Sequence, residues 1–135
     1  MAEFCVVLEG ISHFLYLVWN AEQERSISCF EMELQAEVDK YVMAISLLAE
    51  QSGGKIPHNL HRSLFEKISY HCHLNHTERQ RYYLANTYAR HYCYNLHEHL
   101  LITPDCVSMT REIRRFYRLL NRQKVARIKN MPARH

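Results

Sequence analysis

The chain has 135 residues, 47% of them apolar, and carries 17 Lys and Arg against 14 Asp and Glu for a net charge of +3. That length suits one domain with a single core and leaves no room for a second. Three Gly and three Pro are too few for the tight turns of an all-β chain, and five Cys, odd in number and never spaced C-x-x-C, indicate neither a disulfide framework nor a zinc ribbon.

Segment one, about Glu3 to Asn20, is dense in Phe, Leu, Val and Tyr, and its β-branched start with Gly10 leaves a strand open for Phe4 to Leu8. It has no basic leader, and Glu9 and His13 interrupt an apolar run already short for a bilayer. The expected protein is therefore intracellular, cytoplasmic or nuclear, with no membrane partner. Segment two starts near Ser28, where Ser28-x-x-Glu31 has the form of a capping box, and sets Phe30, Leu34, Val38, Tyr41, Val42, Ile45 and Leu48 on one side. Gln51 to Pro57 stops it and starts segment three, about His58 to Leu74. Thr77-x-x-Gln80 offers the next box, opening a segment that runs to about Leu101. Thr103-Pro104-Asp105 begins a last helix, about Asp105 to Asn130, which Pro132 ends. These elements predict an all-α single-domain bundle of about five helices with short connections, spanning residues 1–130, with a tail over 131–135. Short joints favour antiparallel neighbours in an up-and-down arrangement.

Charge is divided unevenly along the chain. Residues 1–50 hold nine acids and two bases, a net of −7; residues 51–110 net +2; residues 111–135 hold nine bases and one acid, a net of +8. At 100° per residue, Ile113, Phe116, Tyr117 and Leu120 form a core face of the last helix, while Arg111, Arg114, Arg115, Arg118, Arg122 and Lys129 occupy the opposite arc. Lys124 and Arg127 then break the apolar line, which predicts last turns projecting beyond the bundle. Such a cation row suits phosphates of a nucleic-acid backbone or an acidic protein surface; pairing with the acidic second helix, or plain solvation, are the bland alternatives.

Between Tyr70 and His99 lie six of the ten His and six of the nine Tyr. Cys72-x-x-x-His76 and Cys93-x-x-x-His97 have metal-compatible helical spacing, yet a chain reversal near Asn75 would hold the pairs roughly 20 Å apart, so no metal and no cofactor is expected. Segment four divides into a core stripe of Leu84, Ala85, Tyr88, Tyr92, Leu96 and Leu100 and an outer side of Arg79, Tyr83, Asn86, Arg90, Tyr94 and His97. Arg79, Tyr83, Arg90, Tyr94 and His97 form a second candidate interaction face, suited to a protein partner or to stacking of unpaired bases.

Arg90-His91 followed by His97 resembles the active-site signature of HEPN-type ribonucleases, which are also small helical bundles. The resemblance covers eight residues and implies that Arg90 would stabilise a scissile phosphate and His97 act as acid or base. The two lie about 10.5 Å apart along a helix axis, so a shared phosphate needs long side chains or a second subunit. No phosphate loop, dinucleotide fingerprint or nucleophile elbow is present.

The leading expectation is a non-enzymatic adaptor or regulator that docks on a larger protein or nucleoprotein complex through the basic C-terminal helix. The alternatives are a sequence-nonspecific RNA- or DNA-binding protein and a HEPN-like metal-independent ribonuclease using Arg90 and His97. Trp19, Phe14 and Leu15 would add a homodimer surface if segment one carries more apolar area than the bundle can cover.

Overall fold

The computed structural model describes residues 2–51, 53, 60–65, 75–102 and 106–132, and every regular element among them is a helix. The order is α1 (Ala2–Glu22), α2 (Cys29–Gln51), α3 (Leu60–Phe65), α4 (His76–Ile102), α5 (Cys106–Arg118) and α6 (Asn121–Lys129). The chain is a small all-α bundle. The strand left open for Phe4 to Leu8 does not form, because those residues continue α1. A lone strand among helices would leave its N–H and C=O groups without a ladder, whereas the helix satisfies them internally.

Two helix starts are fixed by side chains. Ser28 Oγ accepts from the Glu31 N–H at 3.1 Å, as the sequence pattern predicts. At α4 the box is Asn75-x-x-Glu78, not Thr77-x-x-Gln80. Asn75 Oδ1 accepts the Glu78 N–H at 2.8 Å, and the Glu78 carboxylate accepts the Asn75 N–H at 3.3 Å and its Nδ2 at 3.1 Å. Asn ranks above Thr as an N-cap, and a carboxylate suits the positive end of the helix better than a neutral amide. Gly53, just past α2, has φ +67, a left-handed conformation that L side chains adopt only with strain.

The topology departs from a simple up-and-down order. α1 and α2 are antiparallel, since Ser12 reaches Asp39 while Tyr16, further along, reaches Glu31. On α2 and α4, however, Phe30 meets Tyr88 and Tyr41 meets His97, so the contacts climb both helices together and the two run parallel. The short α3 stands between them in sequence and packs on both, Phe65 against Tyr41 with ring centroids 5.9 Å apart. Residues 66–74 of expected segment three lie outside the described residues.

The core gathers Leu34, Val38 and Tyr41 of α2, Phe65 of α3, Ala85, Ala89, Tyr92, Cys93 and Leu96 of α4, and Met109, Phe116 and Ile128 from the C-terminal helices. Ala85 and Ala89 are one turn apart and fully buried, which lets α2 approach α4 closely. Tyr92 stacks on Phe116 at 4.0 Å between centroids. Met131, the first residue of the expected tail, still packs against this core.

The expected last helix is two helices. After α5 the Leu119 N–H bonds the Phe116 carbonyl at 3.1 Å, a tight final turn, and Leu120 turns extended at φ −69, ψ 159. Gln123 Oε1 accepts the Leu120 N–H at 2.8 Å, and Arg25 Nη1 donates to the Arg118 carbonyl at 3.0 Å, so groups orphaned by the break find partners. Neither Pro nor Gly marks this site. Leu120, expected on the core face, is half exposed there.

Candidate functional site

The break reverses the expected fate of the chain's end. Lys124 does not project into solvent: its exposure is 0%. Nζ donates to Tyr16 Oη at 2.6 Å and to Gln35 Oε1 at 2.7 Å, and stands 4.3 Å from the Tyr16 ring centroid. Tyr16 Oη in turn donates to Glu31 Oε2 at 2.7 Å, while Asp39 accepts from Gln35 Nε2 at 2.8 Å and from Ser12 Oγ at 2.6 Å. One buried network thus ties α6 to α1 and α2. Burial pulls the Lys124 ammonium down to about 7, against the opposing pull of Glu31 and Asp39. Burial likewise raises Asp39 above the usual carboxylate range, with the hydrogen bonds from Ser12 and Gln35 working the other way.

Arg127 also folds back. It grips Glu112 of α5 through Nε at 2.8 Å and Nη2 at 2.7 Å, and Tyr92 Oη donates to the same carboxylate at 3.2 Å. The sequence places Lys124 and Arg127 among solvent because burial without partners is costly; the partners of Lys124 lie 108 and 89 positions away, and Glu112 meets Arg127 only because the chain turns between α5 and α6.

The six basic residues Arg111, Arg114, Arg115, Arg118, Arg122 and Lys129 are all exposed. They do not form one row. Arg111 to Arg118 lie on α5, Arg122 and Lys129 on α6, and the turn at Leu119 and Leu120 parts them. Three of them line two separate clefts. Arg114 and Arg118 line one of about 290 Å³ with Trp19, Ile113 and Tyr117, and Lys129 lines another of about 270 Å³ with Thr87, Tyr88, Arg90, His91 and Ile128.

The first cleft continues into an apolar stripe. Ile11, Phe14, Leu15 and Val18 recur at helical i, i+3, i+4, i+7 spacing on α1 and are exposed, Phe14 at 65% and Leu15 at 55%, with Leu17 beside them. Leu15 lies one turn before Trp19, whose ring meets Tyr117 at 5.6 Å and carries the Arg25 guanidinium at 5.5 Å. A stripe of this size on a small chain is the kind of surface that marks an interaction site.

The second expected face of α4 is not one face. His97 is 5% exposed and its Nδ1 lies 2.8 Å from Tyr41 Oη, and Asn86 is buried as well, while Leu84, expected in the core, is exposed. The arc of α4 that is buried follows Ala85, Ala89, Tyr92, Cys93, Leu96 and His97, a rotation that the apolar pattern of such a Tyr- and His-rich helix does not encode. Arg79 and Tyr83 are exposed; Arg90 and Tyr94 are half-buried. Arg90 shares its cleft with His91, not with His97.

Among the described residues no three His, Cys, Asp or Glu converge as metal ligands. Cys72 lies outside the described residues. Cys93 is fully buried, and that burial raises its thiol well above the usual range. Among the described residues no helix is long and apolar enough to cross a membrane. No protein family, curated protein or solved structure matches this chain.

Proposed function

We propose that this protein is a non-enzymatic adaptor that docks on a larger complex by gripping a partner protein whose surface is apolar at its centre and acidic at its rim. The observation that carries this reading is the α1–α5 cleft, where Trp19, Ile113 and Tyr117 meet Arg114 and Arg118 at the end of the exposed α1 stripe. Aromatic and arginine side chains together are enriched in protein interfaces, and the apolar stripe suits a protein better than a polyanion backbone. Among the described residues, no ion pair engages Arg114 or Arg118, so both are available to a carboxylate. Purification of the tagged chain from its native cells, after nuclease treatment, is the test. The partner should be retained by the wild-type chain, weakened by added salt, and lost from both R114E/R118E and F14S/L15S. Equal retention by both variants rules this surface out.

A further inference from the structure

We infer that the α4–α6 cleft is a single-strand nucleic-acid subsite, with Arg90, His91 and Lys129 holding a backbone phosphate and the Tyr83 ring stacking the neighbouring base. The folded chain brings together Arg90 and Lys129, which lie 39 positions apart in sequence, on opposite walls of one cleft. Among the described residues no carboxylate lines it, and the sequence has no Asp or Glu between Glu78 and Glu98, nor after Glu112. An anion entering the cleft therefore meets the cationic groups Arg90 and Lys129 on its described lining. At about 270 Å³ the space falls near the lower limit of small-molecule sites, which fits a phosphoryl group better than a whole nucleotide.

The base has a separate platform. Tyr83 is 57% exposed and stands one turn before Thr87, whose Oγ1 donates to the Tyr83 carbonyl at 2.8 Å and whose side chain lines the cleft. One turn of helix is about 5.4 Å, comparable to the step between a phosphate and the adjoining base in an extended strand. An aromatic face beside a cationic groove is the arrangement by which single strands are bound without regard to sequence. A bare acidic peptide would use the cations and leave the ring idle. This subsite is independent of the α1–α5 cleft, since the two share no residue.

The test is fluorescence anisotropy with labelled oligothymidylate and oligouridylate of about twelve nucleotides, at about 50 and about 150 mM salt. Tyr83→Ala and Lys129→Glu change exposed side chains and should fold normally, which circular dichroism verifies. Tyr83→Ala should weaken binding roughly five- to hundredfold. Lys129→Glu should weaken it and lower the salt slope by about 0.7, the contribution of one phosphate on a single strand. At about 150 mM salt R114E/R118E should bind the oligonucleotides as the wild type does, so protein docking and this subsite can fail separately. Absence of oligonucleotide binding, wild-type affinity in Tyr83→Ala or Lys129→Glu, or tighter binding of a phosphoserine peptide than of either strand overturns the assignment.

Discussion

Lys124 decides how the end of the chain folds, and its burial has a consequence for pH. In the folded chain it sheds its proton near pH 7, against 10.5 when exposed. Between those values the unfolded chain holds the extra proton, so stability rises with pH across that window. Below about 7 both states hold it, and the cost of the buried charge stands in full. Asp39 works the other way at lower pH: its folded value is raised above 3.8, so stability falls as pH climbs through that range. Cys93, raised by burial, subtracts stability once pH passes the ordinary thiol value of 9.0, and Tyr16, Tyr41 and Tyr92, raised the same way, do so above pH 10. Urea denaturation between about pH 7 and about pH 8.5, below the range where Cys93 opposes it, should therefore give a rising unfolding free energy, at most about 1.4 kcal/mol per pH unit for one proton. Lys124→Met should flatten that rise. An unaltered slope in the variant would assign the titration to another group. Nothing in the local sequence announces this network, because its members, Ser12, Tyr16, Glu31, Gln35, Asp39 and Lys124, lie on three helices.

At the scale of elements, the helices were legible where spacing and caps carry the information, and illegible where only tertiary partners do. α2 shows its buried side plainly, with Leu34, Val38 and Tyr41 in the core as the apolar pattern predicts. α4 does not, because its Tyr and His side chains serve equally well inside and outside, and burial of His97 depends on Tyr41 of a parallel neighbour. The α5–α6 turn was invisible for a related reason: Leu119-Leu120 is an ordinary helical pair, and what opens it is the pull of Lys124 inward and of Arg127 back to Glu112. A double-mutant cycle on Glu112 and Arg127 measures this fold-back. Along one unbroken helix the two residues would stand about 22 Å apart and could not couple. With the bidentate pair present, E112A and R127A should be non-additive by about 1 kcal/mol, a modest value because Arg127 is partly solvated. Additivity would mean that α6 does not fold back.

The whole molecule turns a sequence asymmetry into an outward field. Four of the five acids of α2 are spent internally: Glu31 on Tyr16, Glu33 on Arg81, Glu37 on Lys40 and Asp39 on Ser12 and Gln35. The arginines of α5 have no such partners among the described residues, and within that helix Arg111 faces Arg115 and Arg114 faces Arg118 at i, i+4 spacing. Like charges so placed destabilise a helix by roughly 0.2–0.5 kcal/mol per pair at low salt. The acid head therefore engages Lys124 of the basic tail but not the arginines of α5, a division that the charge count alone leaves open. Screening should relieve the repulsion, so the thermal midpoint of the wild-type chain should rise when salt is increased from about 20 to about 200 mM. Replacing Arg114 and Arg115 by Glu sets opposite charges against Arg118 and Arg111 at i, i+4 spacing, and should reverse the trend, with a gain of about 1 kcal/mol at low salt that fades as salt is added. Differential scanning calorimetry of both chains at the two salt concentrations measures the difference. A wild-type midpoint indifferent to salt would mean that these arginines are already neutralised by groups of the folded chain, and the surface assigned to an acidic partner would lose its attraction.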